Sequence, residues 1–208
     1  MLAACDRTPQ IPSLHYLPGF VPGSENIFEP KTIAVIPTHG LDASDKIVAG
    51  GVYDQNGNLI ESVVVGGIEK SITAGLERSL ADAGLHPVAA NDHDADFVLS
   101  SHLMSAAITK QFGAEQTVHG QYFTMDAAVT IAFELRDRAG KAVFSKTITG
   151  SEHEPPKPVG HEVFFPLETD PVEALSVAMS RTIGGLVVDP ALGALMPARS
   201  RPRQSPAP

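Results

Sequence analysis

Residues 127–135, with the sequence AAVTIAFEL, contain the pattern that decides the fold. Strongly apolar side chains alternate there with small or polar ones, and this period of two is typical of a β-strand with one buried face. The strand is predicted to run from Tyr122 to Leu135 and to pair with a return strand over 142–149, across a turn that contains Gly140. Such a hairpin needs a second layer to cover its apolar face.

Two helices are predicted to supply that layer. Apolar residues recur every four positions from Ile68 towards Ala83, and Gly84 is suited to end that helix. The second helix begins at Asp170, a favourable N-cap residue followed directly by proline. Each helix has a single apolar stripe, so both need one sheet to cover. The sequence therefore predicts an α+β fold: a single mixed, largely antiparallel sheet with two helices packed on one face.

Shorter segments complete the predicted sheet. Thr32 to Ile36 is a short apolar strand, residues 47–65 form a hairpin around an Asn-Gly turn, and residues 96–108 hold another buried strand. Two polar or proline-containing stretches are predicted to be loops, at residues 109–119 and 151–169.

The ends of the chain differ from this domain. Residues 6–31 include five prolines, which disfavour both a helix and a central strand. An extended linker of this length reaches at most about 80 Å. We therefore predict three parts: a truncated signal end with a proline-rich tether over 1–31, an α+β domain over 32–190, and a disordered Pro/Arg tail over 191–208.

The first residues predict where the protein works. Leu2-Ala3-Ala4-Cys5 matches a lipobox, in which signal peptidase cuts before the cysteine and lipid is attached to it. Cys5 is the only cysteine of the chain. The basic and apolar regions of a signal peptide do not precede it, so we expect the quoted start to lie inside a longer signal. The alternative is an alanine-rich N-terminus with a chance cysteine.

Composition narrows the classes of function. The 15 Lys and Arg residues face 24 Asp and Glu residues, and the resulting charge of −9 disfavours nucleic acid as a partner. Membrane attachment is expected through the lipid on Cys5, since two acyl chains hold a protein stably at a bilayer.

Sequence motifs predict no catalytic residue, metal ligand or cofactor. The nearest candidates lack the spacing or the rigid frame of known sites, and for each a structural role is favoured. They are the alternating Asp92, Asp94 and Asp96 (a polar turn), His153 with Glu152, Glu154 and His161 (a solvated loop), Gly66-Gly67 (tight strand-to-helix packing), and His39 (a loop residue).

Three aromatic residues of the tether are candidates for docking a partner. Tyr16, Phe20 and Phe28 are unusually apolar for a free linker. They either bind a strand or groove of another protein or pack against their own domain, and the sequence leaves both possibilities open.

Several of these features together resemble the YajG-type bacterial envelope lipoproteins. The similarity covers about residues 31–190 and rests on the lipobox, the Gln-Asn-Gly turn at 55–57, the helix ending at Gly84, the Arg-Ala-Gly-Lys turn at 138–141 and the Asp-Pro helix start at Asp170. The resemblance implies an envelope lipoprotein without enzyme activity.

We therefore expect a lipid-anchored, non-catalytic binding or accessory protein of the bacterial cell envelope, facing the periplasm and acting with an envelope protein partner. The sequence leaves open whether the inner or the outer membrane holds it. One alternative is an auxiliary subunit of an envelope lipid transporter, which an apolar pocket between sheet and helices would favour. A second is a soluble enzyme without a recognisable motif, which converging titratable groups in a pocket would favour.

Overall fold

The protein has the α+β fold predicted from its sequence. A computed structural model describes residues 12–19, 27–40, 46–113, 122–158 and 170–196. Within these ranges the elements, in chain order, are β1 (Thr32–Val35), β2 (Lys46–Tyr53), β3 (Leu59–Gly66), α1 (Ile68–Asp82), β4 (His86–Val88), β5 (Phe97–Phe112), β6 (Tyr122–Asp137), β7 (Ala142–Pro158), α2 (Pro171–Val187) and α3 (Pro190–Leu195).

The strands form one mixed sheet organised around β5. One edge of β5 pairs antiparallel with β6 along its whole length, and β6 pairs antiparallel with β7. The other edge of β5 is shared, because β1 lies parallel to its first residues and β2 lies parallel to its last. Beyond these, β4 pairs with β1 and β3 pairs with β2. The longest pairs are antiparallel, as predicted.

One face of the sheet is buried beneath the helices. Val129, Ile131 and Phe133 on β6 are at most 1% exposed, whereas Thr130 and Ala132 between them are half-buried. The predicted alternation is therefore confirmed. The helix stripes complete the same core with Ile72, Leu76, Leu80, Leu175, Met179 and Ile183.

Local signals set the helix ends as expected. Gly84 has a φ of +96°, and its N–H donates to the carbonyl oxygen of Ala81, while the N–H of Leu85 donates to that of Leu80, each at 3.0 Å. These two bonds form a Schellman motif, in which a left-handed glycine ends the helix.

The second helix lies deep in the domain. Its N-cap Asp170 accepts a hydrogen bond from the Val172 N–H at 2.8 Å. The stretch Pro171–Leu195 is as long and apolar as a membrane-spanning helix, but 67% of its most apolar window is buried inside the domain. Its apolar character is thus explained by its place in the core.

Two strands are longer than predicted, so the loop predictions at 109–119 and 151–169 were wrong for 109–112 and 151–158. β5 continues because residues 108–111 pair with β2 on one side and with β6 on the other. β7 continues to Pro158 as an outer strand, since among the described strands it pairs only with β6. An outer strand tolerates prolines, since its free edge needs no N–H donors. The three-residue β4 was not predicted.

The folded domain also extends past both predicted boundaries. Leu14 and Phe28, assigned to the tether, are 2% and 4% exposed in the core. At the other end, 191–195 belong to α3 rather than to a disordered tail, because Asp189 caps this helix through a bond from the Ala191 N–H at 2.9 Å. The predicted tail beyond Met196 lies outside the described residues.

Candidate functional site

Residues 12–19 form an extended segment, here called the strap, that lies against the helical layer. It begins beside β3, where the Gly66 N–H donates to the Pro12 carbonyl oxygen at 3.0 Å and Ser13 forms a parallel bridge with Gly66. Gly66 therefore contacts the strap with its backbone. Gly67, at a φ of +61°, turns the chain from β3 into α1.

Serine hydroxyls on both helices hold the strap. The N–H of His15 donates to Ser176 Oγ at 3.1 Å, and the N–H of Leu17 donates to Ser180 Oγ at 2.9 Å. From the other side, Ser71 Oγ donates to the Leu14 carbonyl oxygen at 2.8 Å. Hydroxyl side chains are thus the partners of the strap backbone, in a groove between α1 and α2.

The helix geometry explains why serine suits these positions. Ser176 Oγ donates its hydrogen to the Val172 carbonyl oxygen and Ser180 Oγ to that of Ser176, each at 2.8 Å. A hydroxyl has one donor and two acceptor lone pairs, so each serine can still accept a bond from the strap. These two serines were not predicted from the sequence as residues that hold the strap. Their signal is a pair of serines four positions apart on the apolar side of α2.

The strap and the segment after it pack apolar side chains against their own domain. Leu14 is buried, and Tyr16 is partly buried over Gly75, where an added Cβ would lie 3.1 Å from the tyrosine Cβ. Phe28 is buried beside the end of α1, where its N–H donates to the Ala83 carbonyl oxygen at 3.1 Å.

These placements bear on the three docking candidates. Tyr16 and Phe28 contact the domain core, which is the second of the two possibilities left open by the sequence. Phe20 lies outside the described residues.

The strap shortens the linker between the domain and the predicted lipid site. Cys5 lies outside the described residues, but only six residues separate it from Pro12. Whatever their conformation, the seven Cα–Cα steps span at most about 25 Å. The predicted reach of about 80 Å is therefore too large, because most of that reach required residues that pack on the domain.

A cavity of about 650 Å³ lies between the strap and the start of α2. Its lining includes the titratable residues His15, Asp170 and Glu173. Asp170 already accepts the capping bond of α2, and Ser176, also in the lining, accepts the bond from His15. The cavity is therefore a recess of mixed polar and apolar lining, with Leu17 and Val172 beside the polar groups, at the edge of the strap groove.

The alternating aspartates form a polar turn, as predicted. The Asp94 N–H donates to Asp92 Oδ1 at 2.9 Å, which closes the turn. Asp96 Oδ2 accepts bonds from the N–H and the hydroxyl of Thr32, both at 3.1 Å, and Asp96 Oδ1 lies 3.5 Å from Arg138 Nη2. The Thr32 N–H, chiefly, holds the pKa of Asp96 below its ordinary value despite partial burial. Asp96 thus joins β1 to β5.

The histidine region at 152–154 is strand, not the predicted loop. Side chains alternate across a strand, so His153 lies on the exposed face while Glu152 and Glu154 lie towards the helices. His153 Nδ1 contacts Asp126 Oδ1 at 2.6 Å, and Glu152 pairs with Arg181 at 2.5 Å. These side chains cannot converge on one ion.

The remaining candidates occupy separate places. His39 follows β1 and pairs with His102 of β5, and both side chains are exposed. His161, the remaining member of the group considered with His153, lies outside the described residues. Across the ranges that the structure describes, no group of three or more His, Cys, Asp or Glu residues is placed to hold a metal ion.

Comparison with known proteins supports the fold rather than a family. No family model matches the sequence, and no curated protein matches it. Among solved structures, a Xanthomonas campestris protein of family DUF330 is similar at 13% identity and a TM-score of 0.51, over 89% of this chain and 93% of that one.

Two further similar structures are lipoproteins. The minor lipoprotein from Acinetobacter baumannii is 12% identical at a TM-score of 0.42, over 81% of this chain and 98% of that one. A lipoprotein from Neisseria meningitidis is 16% identical at a TM-score of 0.33, over 60% and 85%. At such identities similarity concerns the fold alone, so the specific resemblance to YajG-type lipoproteins stays a prediction. The chain thus has a fold also found in a bacterial protein of the DUF330 family.

Proposed function

We propose that the protein is a lipid-anchored accessory or binding domain of the bacterial cell envelope, attached through Cys5 and facing the periplasm. The observation that carries this proposal is the lipobox at residues 2–5 with the sole cysteine at its end. The position of the strap supports it, because Pro12 lies close enough to Cys5 for the domain to remain beside the bilayer.

The proposed mechanism is confinement. A lipid on Cys5 restricts the domain to a thin layer next to the membrane, which raises its effective concentration for a membrane-bound partner. The strap adds a short connection between lipid and domain. Residues such as Ser176 and Ser180 are then positioning residues, since they hold the backbone that connects the anchor to the fold.

An accessory role is favoured over handling of lipid inside the domain. An auxiliary subunit that carries lipid needs an apolar space between sheet and helices. In the described part of the chain, Val129, Leu175, Met179 and Ile183 fill this layer at 0% exposure. The recess beside the strap lies outside this layer, and its lining mixes polar side chains such as Ser13 and His15 with Leu17 and Val172.

Lipid attachment is tested on the natural gene product, expressed with its own upstream codons. Globomycin, which blocks lipoprotein signal peptidase, should cause an unprocessed precursor to accumulate, and mass spectrometry should find acyl chains on Cys5. The matched Cys5→Ser variant, exported with a signal that the general signal peptidase removes, should lack the lipid and leave the membrane fraction. An unmodified Cys5 thiol in the membrane-purified natural protein would contradict the proposal.

The partner is sought with the anchored protein. Crosslinking in membranes, followed by mass spectrometry, should recover an envelope protein from wild type and much less of it from Cys5→Ser at equal protein levels. Equal recovery from both would show that confinement does not contribute to the interaction.

A further inference from the structure

The most exposed apolar side chains of the described residues lie on the β2–β3 hairpin. Val48, Ile60 and Leu59 are 70%, 60% and 55% exposed, more than any other large apolar residue in those ranges. Scattered exposed apolar residues are normal, but these three share one hairpin, where Leu59 and Ile60 are adjacent and Val48 is opposite Val64, four residues along β3 from Ile60. We call these three residues the hairpin patch.

The strap connects this same hairpin to the chain that leads to Cys5. Gly66, the last residue of β3, donates its N–H to the Pro12 carbonyl oxygen, so the linker leaves the domain from the outer side of β3. Residues 6–11 allow at most about 25 Å between Cys5 and Pro12. A domain of this size is about 40 Å across if taken as a sphere. A linker shorter than that width keeps the side bearing Pro12 towards the bilayer.

The β6–β7 turn lies farther from the strap than the hairpin patch does. Gly66, which bonds Pro12, is opposite Lys46, and Val48 is two residues further along β2. The β6–β7 turn follows Asp137, which is opposite Phe97 at the start of β5, and β2 and β5 lie between this turn and β3. The hairpin patch is therefore nearer to the bilayer than the β6–β7 turn when the strap side faces the membrane.

We infer that the hairpin patch contacts the lipid bilayer when Cys5 is acylated, so that the anchor and the hairpin together fix the orientation of the domain. This inference rests on the lipid anchor proposed above. The side chains are aliphatic and few, so they cannot hold the protein at a membrane alone. The anchor keeps them at a high effective concentration beside the bilayer, where partial burial of Val48 and Ile60 becomes favourable.

The test uses the acylated protein, reconstituted in phosphatidylcholine and phosphatidylethanolamine vesicles. Because Cys5 is the only cysteine and its sulfur is acylated, an introduced thiol can be labelled alone. A fluorophore on Ser62→Cys, beside the patch, should be quenched at least twofold more by nitroxide-headgroup lipid than one on Ala139→Cys in the β6–β7 turn. Equal quenching of the two labels on vesicle-bound protein would overturn the inference while leaving the anchor intact.

Paired substitutions then isolate the patch. Val48→Ser with Ile60→Ser should bring the quenching of the Ser62→Cys label close to that of the distal label. Met104→Ser, which removes another exposed apolar side chain (46%), should leave it unchanged. A Ser62→Cys signal that depends on protein density, and not on nitroxide lipid, would assign the patch to contact between two copies and overturn the inference. Absence of acyl chains on Cys5 would remove the proposed function and this inference together.

Discussion

At the scale of single residues, Gly150 allows the closest approach of β7 to α2. A Cβ at this position would lie 2.2 Å from the Ala178 carbonyl oxygen and 2.6 Å from Thr182. The Gly150 N–H also donates to Thr182 Oγ1 at 2.8 Å, and that hydroxyl lies 2.8 Å from the Val129 carbonyl oxygen. The backbones of β7 and α2 therefore approach closely at Gly150, and the Thr182 hydroxyl bonds to the sheet beside it.

Gly150→Ala is expected to destabilise the fold by roughly 1–3 kcal/mol, because the backbone of α2 must move to admit the methyl group. Urea denaturation measures the change. Gly193→Ala in α3 is the matched control. An added Cβ meets nothing within 4 Å there, so the control should be neutral or more stable by up to about 1 kcal/mol. A Gly150→Ala variant as stable as wild type would show that α2 packs less closely against β7 than this geometry indicates.

Asp189 combines a cap and an ion pair at a buried position. The carboxylate is 4% exposed, accepts the N-cap bond of α3 and pairs with Lys146. Burial acts to raise the pKa of Asp189, but the bonds from Lys146 and from the Ala191 and Leu192 N–H groups outweigh it, so the pKa lies below its ordinary value. The ionised form is thus favoured by folding.

This shift predicts a pH-dependent loss of stability. A carboxyl group whose pKa is lower in the folded than in the unfolded state stabilises the fold at pH values above its unfolded-state pKa, about 3.9. This contribution is lost as the pH falls through the folded-state pKa. Asp189→Asn should lower the free energy of unfolding by about 1 kcal/mol at pH 7, since Lys146 is half-exposed and screened. The difference in the free energy of unfolding between the variant and wild type should narrow below about pH 3.9. An equal difference at pH 7 and at pH 3 would contradict the lowered pKa of Asp189.

At the scale of elements, the strap is held by backbone bonds to side chains of two helices. This arrangement resembles an added strand, with hydroxyls in the place of a neighbouring backbone. Loss of one such bond is worth about 1 kcal/mol, so several are needed to keep the segment in its groove.

Ser176→Ala with Ser180→Ala should release the middle of the strap. The amide hydrogens of His15 and Leu17 lose their acceptors, and their exchange with deuterium should accelerate by about fivefold or more, as expected for a loss near 1 kcal/mol. Ser145→Ala, at an exposed position of β7, is the control and should change neither amide. Unaltered protection of both amides in the double variant would mean that the two hydroxyls do not hold the strap.

At the scale of the whole molecule, the N-terminal segment is part of the domain. Leu14 and Phe28 belong to the same core as the helix stripes and β6. A domain that began at Thr32 would expose the surfaces that these two side chains cover.

Two truncations test this. A chain starting at Pro12 keeps the strap and is expected to unfold near the full-length midpoint. A chain starting at Thr32 should lose several kcal/mol, since removal of a buried leucine or phenylalanine costs about 2–5 kcal/mol each. Thermal and urea unfolding distinguish the two. Equal stability of both truncated chains would show that the strap contributes only to attachment.

Sequence alone determined the parts of this protein whose signals are local. The alternation from Ala127 to Leu135, the four-residue stripe from Ile68 and the caps at Asp170 and Gly84 each depend on neighbours within a few positions, so they could be recognised without the fold. The lipobox prediction also depends on a local signal, and it stays a prediction.

Only the tertiary structure decided where non-local partners meet. The bond from His15 to Ser176 joins residues 161 positions apart, and no pattern near either residue indicates the other. The same reason explains β4 and the extended β7, since a short or proline-containing segment becomes a strand only when a neighbour supplies the pairing. Placement of the strap, and with it the side of the domain nearest Cys5, therefore came from packing rather than from local propensity.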